Sequence, residues 1–260
     1  MKNVHFIEAA SACLANGERL IEDARWLPED RLATIFALAT IAQEEFAKAF
    51  LLFLVSRNAL AWNSLMFRVT RDHASKQLLA HVMNYLNPMW EDFEARLKEW
   101  NAHHELWEKL IAEFRNAVGK AEKQRIWNQI EELNQSHRDI PVSVADAINI
   151  LRYEKVGRWE SSNWCWDEEP VYNPVAKGMA DGKLDVEKQD ALYVRLGPNG
   201  GLSKTQNEVK ADDAAMALEL ARRLGDLVEG LLSGNNVNSI AYERIESSFK
   251  ALFGGQAPTD

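Results

Sequence analysis

Apolar residues recur at three- and four-residue steps near the start of the chain. Ile7, Ala10, Cys13, Leu14, Gly17, Leu20, Ile21 and Ala24 share one face, which predicts an amphipathic helix over about 4–26. Leu27-Pro28-Glu29-Asp30 interrupts that face and places acid in the first turn of the next helix. Residues 30–57 are apolar nearly all round, as in ATIFALATIA and FAKAFLLFLV, so this helix is expected at the centre of a bundle. A third helix is predicted from about Ser64 to Asn87, ended by Pro88.

From Met89 to about Val118 the apolar positions are Trp90, Phe93, Leu97, Trp100, Trp107, Leu110, Ile111 and Phe114. They predict a long amphipathic helix whose aromatic stripe serves as core or as a seam for a partner helix. Residues 120–136 continue as a charged helix, and Pro141 opens a shorter one to about Tyr153. No period of 20–50 residues repeats, which argues against a solenoid. Residues 156–206 differ in texture, with Trp159, Trp164, Trp166, Pro170, Pro174, Pro198 and six glycines. There Ala191–Leu196 alternates like a strand and Gly197–Gly201 reads as a turn. Helix is expected again at 208–232 and 237–252. The pattern implies one mainly α domain over 1–260, with a lengthened helical segment at 89–136 and a loop or β-hairpin insertion at 156–206.

Composition narrows the class. The 260 residues carry 30 Lys+Arg against 39 Asp+Glu, a net charge of −9, and 47% are hydrophobic. That is globular rather than disordered, and it argues against a broad basic coat for nucleic acid. Cys13 and Cys165 lie far apart and neither is in a CxxC pair, which excludes a disulfide framework and suits a reducing compartment. The first residues are too weakly apolar for a signal peptide. Residues 33–55 look membrane-like, but Glu44, Glu45 and Lys48 interrupt them, at about 2.5–3.5 kcal/mol each in a span. A soluble cytoplasmic protein with no membrane association is expected.

Charge is unevenly placed, and this locates the candidate chemistry. Residues 46–90 hold Lys48, Arg57, Arg68, Arg71 and Lys76 against one acid, Asp72. A cationic hollow within an acidic chain suits a phosphate-bearing ligand, and Arg57 and Lys76 are candidate phosphate or RNA contacts. Arg68-Val-Thr-Arg-Asp-His73 adds an imidazole, the natural acid/base at neutral pH, to guanidinium groups that stabilise charge on phosphate oxygens. His73, Arg68 and Arg71 are therefore the candidate catalytic residues for metal-free RNA cleavage. On one continuous helix Arg68 and His73 would diverge by about 140°. Convergence would then need the long arginine stem, an imperfect helix start or a second subunit.

Glu44, Glu45 and Lys48 are charges inside an apolar helix and need partners there. Glu44 and Lys48 form an i,i+4 pair in the favourable orientation. Arg68, Arg71 or His73 are plausible partners on the neighbouring helix. The group is either an internal ion-pair lock or the means of orienting the histidine. Other chemistries fit poorly. None of the six histidines has glutamate three positions before it, as a di-iron bundle requires, and His104-Glu-Leu-Trp-Glu108 lacks a second zinc-binding histidine. There is no P-loop and no G-x-S-x-G. No metal or cofactor is expected.

The order of several motifs resembles the AbiV family of abortive-infection proteins, bacterial phage-defence proteins related to the HEPN superfamily. The resemblance rests on Arg19-Leu-Ile-Glu-Asp-Ala24, Ala42-Gln-Glu-Glu-Phe-Ala-Lys-Ala49, Phe67-Arg68 through His73-Ala-Ser-Lys76, and Glu187-Lys-Gln-Asp-Ala-Leu-Tyr-Val194. The second and third blocks are similar to the family's A-x-E-E-x-G-K-A and H-x-x-K helices, with Ala47 in the glycine position. The fourth is similar to its K-x-x-x-L-Y-V segment. The resemblance implies a HEPN-like helical bundle that forms a homodimer. It also implies a metal-independent endoribonuclease, acting on tRNA, rRNA or mRNA to shut down translation under an antitoxin or phage-protein regulator. It gives Arg68 and His73 as an R-x4-6-H active site, and Glu44, Glu45 and Lys48 as the residues that orient it. The alternative is a non-catalytic helical module that binds RNA or protein in a defence or toxin–antitoxin system.

Overall fold

The structure, a computed structural model, describes residues 2–86, 102, 105–107, 109–136, 142–151, 173–193 and 209–234. Every regular element among them is helical. In chain order these are α1 (Lys2–Arg25), α2 (Leu32–Ser56), α3 (Ser64–Val69), α4 (His73–Leu86), α5 (Lys120–Ser136), α6 (Val142–Asn149), α7 (Pro174–Ala180), α8 (Lys183–Leu192) and α9 (Ala211–Ser233). Residues 109–116 form a further helical stretch. The fold is the mainly α bundle expected from the periodicity. No helix among the described residues is long and apolar enough to cross a membrane.

The all-round apolar helix is central, as its pattern predicts. α2 is packed by α1, α4, α8 and α9, and so has no face left for water over most of its length. Phe46, Phe50 and Leu54 on it are fully buried. α1 lies along α2 by the face read from sequence: Ala10, Gly17, Leu20, Ile21 and Ala24 are buried, whereas Ile7 is exposed. α2 opens at Leu32, so Glu29 and Asp30 precede it rather than lying in its first turn. It ends in a Schellman turn. Asn58 takes a left-handed φ of 58°, its N–H donates to Val55 O, and the Ala59 N–H donates to Leu54 O.

Two further differences from the sequence reading have local causes. The helix expected over Ser64–Asn87 is two helices, broken at 70–72. Asp72 Oδ2 accepts from the Ser75 N–H at 2.7 Å and from Ser75 Oγ at 2.5 Å, which is N-cap chemistry, and it starts α4 at His73. The irregular insertion expected at 156–206 contains α7 and α8. Asn173 caps Val175 N with Pro174 in the first turn, and the Asn173 N–H donates to Asp146 of α6. Ala191 and Leu192, read as the start of a strand, are the last residues of α8, and only Tyr193 is extended. The rest of that strand, the Gly197–Gly201 turn and the helix at 237–252 lie outside the described residues. So do Trp90 to Trp100. The remaining part of the aromatic stripe, Trp107, Leu110, Ile111 and Phe114, packs with Ile126 and Ile130 of α5 in a separate apolar cluster.

Among the described glycines, the tightest surroundings are at the Phe46 ring. A Cβ on Gly17 of α1 would stand 2.4 Å from its Cε1, and one on Gly225 of α9 would stand 3.1 Å from its Cζ. Two glycines thus let α1 and α9 close on either side of one buried ring. Gly17→Ala is expected to lower stability by about 1–3 kcal/mol through overpacking. Urea denaturation should show this as a lower midpoint, and Gly17→Ala combined with Phe46→Leu should recover part of the loss.

Candidate functional site

The carboxylate of Glu44 is buried within the apolar length of α2, with the residue 2% exposed. An ionised group in that position requires donors at every acceptor position, and α4 and α8 supply them. Glu44 Oε2 lies 2.6 Å from His73 Nδ1 and 2.9 Å from Lys76 Nζ. Glu44 Oε1 accepts from Gln77 Nε2 at 3.0 Å and from Lys188 Nζ at 2.8 Å. His73, Lys76 and Gln77 stand at i, i+3 and i+4 on α4, so one helical face delivers all three. Asp185 and Lys188 stand one turn apart on α8, with Lys188 Nζ 2.7 Å from Asp185 Oδ1.

Burial alone would push the Glu44 carboxyl up. The Lys188 hydrogen bond and the Lys76 charge outweigh it and hold the group at about 2. For Lys188, burial acts downward, but its bonds to Asp185 and Glu44 raise the ammonium above its ordinary range. Because Glu44 is ionised, His73 Nδ1 must be the donor between them, so the Lys188 ammonium 3.2 Å away cannot also donate to that nitrogen. The ring is thereby oriented with Nε2 uncommitted among the described residues. His73 is the exposed member of the centre, its side chain 51% accessible.

Glu44, His73 and Asp185 each offer a ligand atom, and these atoms lie within 4.8 Å of one another. The Lys188 ammonium is within 3.2 Å of atoms from all three, at the position a cation would take. The donor set is therefore already satisfied by a side-chain cation and fits a metal ion poorly.

The other sequence candidates are distributed around this centre. Lys48 pairs with Glu45 at 2.6 Å, not with Glu44 as the i,i+4 spacing suggested, because the acceptor positions of Glu44 are filled by α4 and α8. That pair faces Cys13 of α1. Lys76 is buried, its charge directed at Glu44. Arg68 and Arg71 are exposed on α3 and the turn after it, Arg71 with its guanidinium 5.5 Å from the centre of the Phe67 ring. Neither is among the hydrogen-bond or ion-pair partners of His73 or Glu44. Arg57 is exposed at the C-terminal end of α2. The helix break at 70–72 removes the single-helix geometry that set Arg68 and His73 about 140° apart.

The model of the HEPN-type AbiV family matches residues 5–226. The chain belongs to the AbiV family. Compared with curated proteins and with solved structures, it has no significant match. Membership points to abortive-infection defence, and the matched region spans every residue of the Glu44 centre. The AbiV-like motifs give this centre most of its polar residues: Glu44 from E-E-x-x-K, His73 and Lys76 from H-x-x-K, and Lys188 as the lysine that opens K-x-x-x-L-Y-V. Sequence reasoning singled out the first three and missed Lys188, Asp185 and Gln77. The Lys188 segment had been recognised, but a lone lysine 144 residues from Glu44 carries no spacing signal.

The pH dependence follows from these charges. Glu44 is depressed from 4.5 to about 2, so its contribution, roughly 3 kcal/mol, is full above about pH 4.5 and is lost as pH falls towards 2. The raised Lys188 acts oppositely, its contribution being full below 10.5 and lost as pH rises through its folded value. Equilibrium denaturation across pH 2–6 should show an acid-side loss of that order. Glu44→Gln should be less stable at pH 7 by about 3–5 kcal/mol, having left buried ammonium groups without their carboxylate, and should lack most of the acid-side slope.

Proposed function

We propose that this AbiV-family chain is an effector that cleaves RNA without a metal ion, with His73 as the proton-transferring residue. The observation that carries this reading is an exposed imidazole whose Nδ1 is held at 2.6 Å by a buried, ionised carboxylate. A carboxylate in that position fixes the ring's orientation and tautomer and leaves Nε2 for the substrate. At Nε2 the proton of a ribose 2′-hydroxyl can be taken. The 2′-oxygen then attacks the adjacent phosphorus and the 5′-oxygen leaves, giving a 2′,3′-cyclic phosphate and a 5′-hydroxyl.

Arg68 and Arg71, exposed in the segment that leads into His73, are the groups proposed to hold the phosphate and to stabilise charge on the phosphorane, with Arg57 as a further backbone contact. Lys76 supports the centre from within the bundle. The leaving oxygen needs a proton from a second acid, and a second copy of His73 in a homodimer would provide it. Cleavage of tRNA, rRNA or mRNA in the cytoplasm would stop translation, under the control of an antitoxin or phage protein.

Purified protein in EDTA should cut RNA and leave 2′,3′-cyclic phosphate ends. His73→Ala should lose activity by at least 100-fold while keeping its helical circular dichroism and its melting temperature within a few degrees. Cleavage that survives the substitution would rule out His73 as the proton-transferring residue. RNA bound equally by both proteins and cut by neither would make the chain a binding module.

A further inference from the structure

A cavity of about 460 Å³ lies between α2, α4, α8 and α9 and is bordered by Gln77, whose Nε2 donates to Glu44. That volume is in the range of small-molecule sites. Phe36, Leu184 and Leu220 contribute apolar wall, and Thr40, Gln43 and Gln77 contribute polar groups from α2 and α4. Gln43 is held by its Nε2 bond to Ala217 O at 2.8 Å, so it is a fixed part of the wall. Gln77 is 3% exposed. Its Nε2 is committed to Glu44, and its buried Oε1 has no hydrogen-bond partner among the described residues. A buried acceptor left unpaired favours a ligand that brings a donor.

The charge of the lining is one-sided. Glu187 and Asp190 of α8 and Asp213 of α9 all border the cavity, and no lysine or arginine is among the described lining residues. Glu187 and Asp213 are in no ion pair among the described residues. Among the described residues, Asp213 accepts a hydrogen bond from the backbone N–H of Lys210, at 3.3 Å. His81 also borders the cavity, and burial pushes its imidazole down towards the neutral form. An anion would meet the carboxylates of Glu187 and Asp213 there. An ammonium or guanidinium group would meet the same two as counter-charges.

We propose that this cavity binds a small organic cation, an apolar body bearing one or more amine or guanidinium groups. The apolar body lies against Phe36, Leu184 and Leu220, and the cationic end lies at Glu187 and Asp213. The site is separate from the RNA reading and does not depend on it. It shares Gln77 and α8 with the Glu44 centre, so an occupant braces the helix that supplies Lys188 and Asp185.

Isothermal titration and thermal denaturation of the full chain, with four probes, test this. Phenethylamine and spermidine represent aromatic and linear amines; 2-phenylethanol and 3-phenylpropanoate are the neutral and anionic counterparts. At least one amine should bind and raise Tm as its concentration increases. It should bind at least tenfold tighter than 2-phenylethanol, and 3-phenylpropanoate should have no effect. Which amine binds separates an aromatic ligand from a polyamine. The double variant Glu187→Gln/Asp213→Asn alters two exposed side chains and should weaken amine binding at least tenfold with the fold intact. Neither amine binding, neutral or anionic probes binding as well, or undiminished binding to the double variant would each overturn the proposal.

Discussion

A carboxylate buried in the middle of an apolar helix sets the terms for the rest of the molecule. Glu44 cannot stay ionised on α2 without donors, and the lysine of α2, Lys48, is committed to Glu45. The donors come from α4 and α8, which must lie where Lys76, Gln77 and Lys188 reach both carboxylate oxygens. Two ammonium groups against Glu44 and Asp185 leave the interior close to neutral, which makes the burial tolerable. Hydrophobic contact would hold these helices together with considerable freedom of register. The polar centre removes that freedom, because a shift of one residue on α4 or α8 rotates its donors away by about 100°.

The same helix anchors the opposite side of the bundle by packing. Phe46 is two residues from Glu44, about 200° round α2, and lies against α1 and α9. Its ring fills the space left by Gly17 and Gly225. α2 is thus clamped by ion pairs on one side and by close helix approach on the other, and the geometry of His73 inherits the rigidity of both.

Two features of this interior reach its boundary. His73 carries the polar centre to the surface, since its Nδ1 is held within the cluster while much of its ring is accessible. The cavity that Gln77 borders presents carboxylates rather than cations among its described lining residues, although the Glu44 centre beside it holds two lysines. Lys76 and Lys188 turn inward to Glu44, and Glu187, the sequence neighbour of Lys188, projects from a different face of α8. Adjacent residues on one short helix therefore serve two environments of opposite sign. This pattern depends on helical rotation rather than on regional composition.

Periodicity alone was enough for the bundle and its central member. The stripe of α1 and the all-round apolarity of α2 reflect burial, and burial is recorded residue by residue in the chain. Local chemistry was legible too, but easily misread. Asp72 is the one acid in a basic stretch, and its spacing to Ser75 makes it the cap that splits a helix. Ala191–Leu196 alternates as a strand would, yet its first two residues complete α8, because an alternating pattern that short does not distinguish the two. Glu44 was identifiable as a charge needing partners, and His73 as one of them. What the linear chain could not supply was the choice between Lys48, four residues away, and Lys188, 144 residues away. Sequence spacing ranks partners by proximity along the chain. The folded protein ranks them by desolvation and by which donors the packing of α4 and α8 brings within 3 Å of a buried oxygen, and on that basis the distant lysine won.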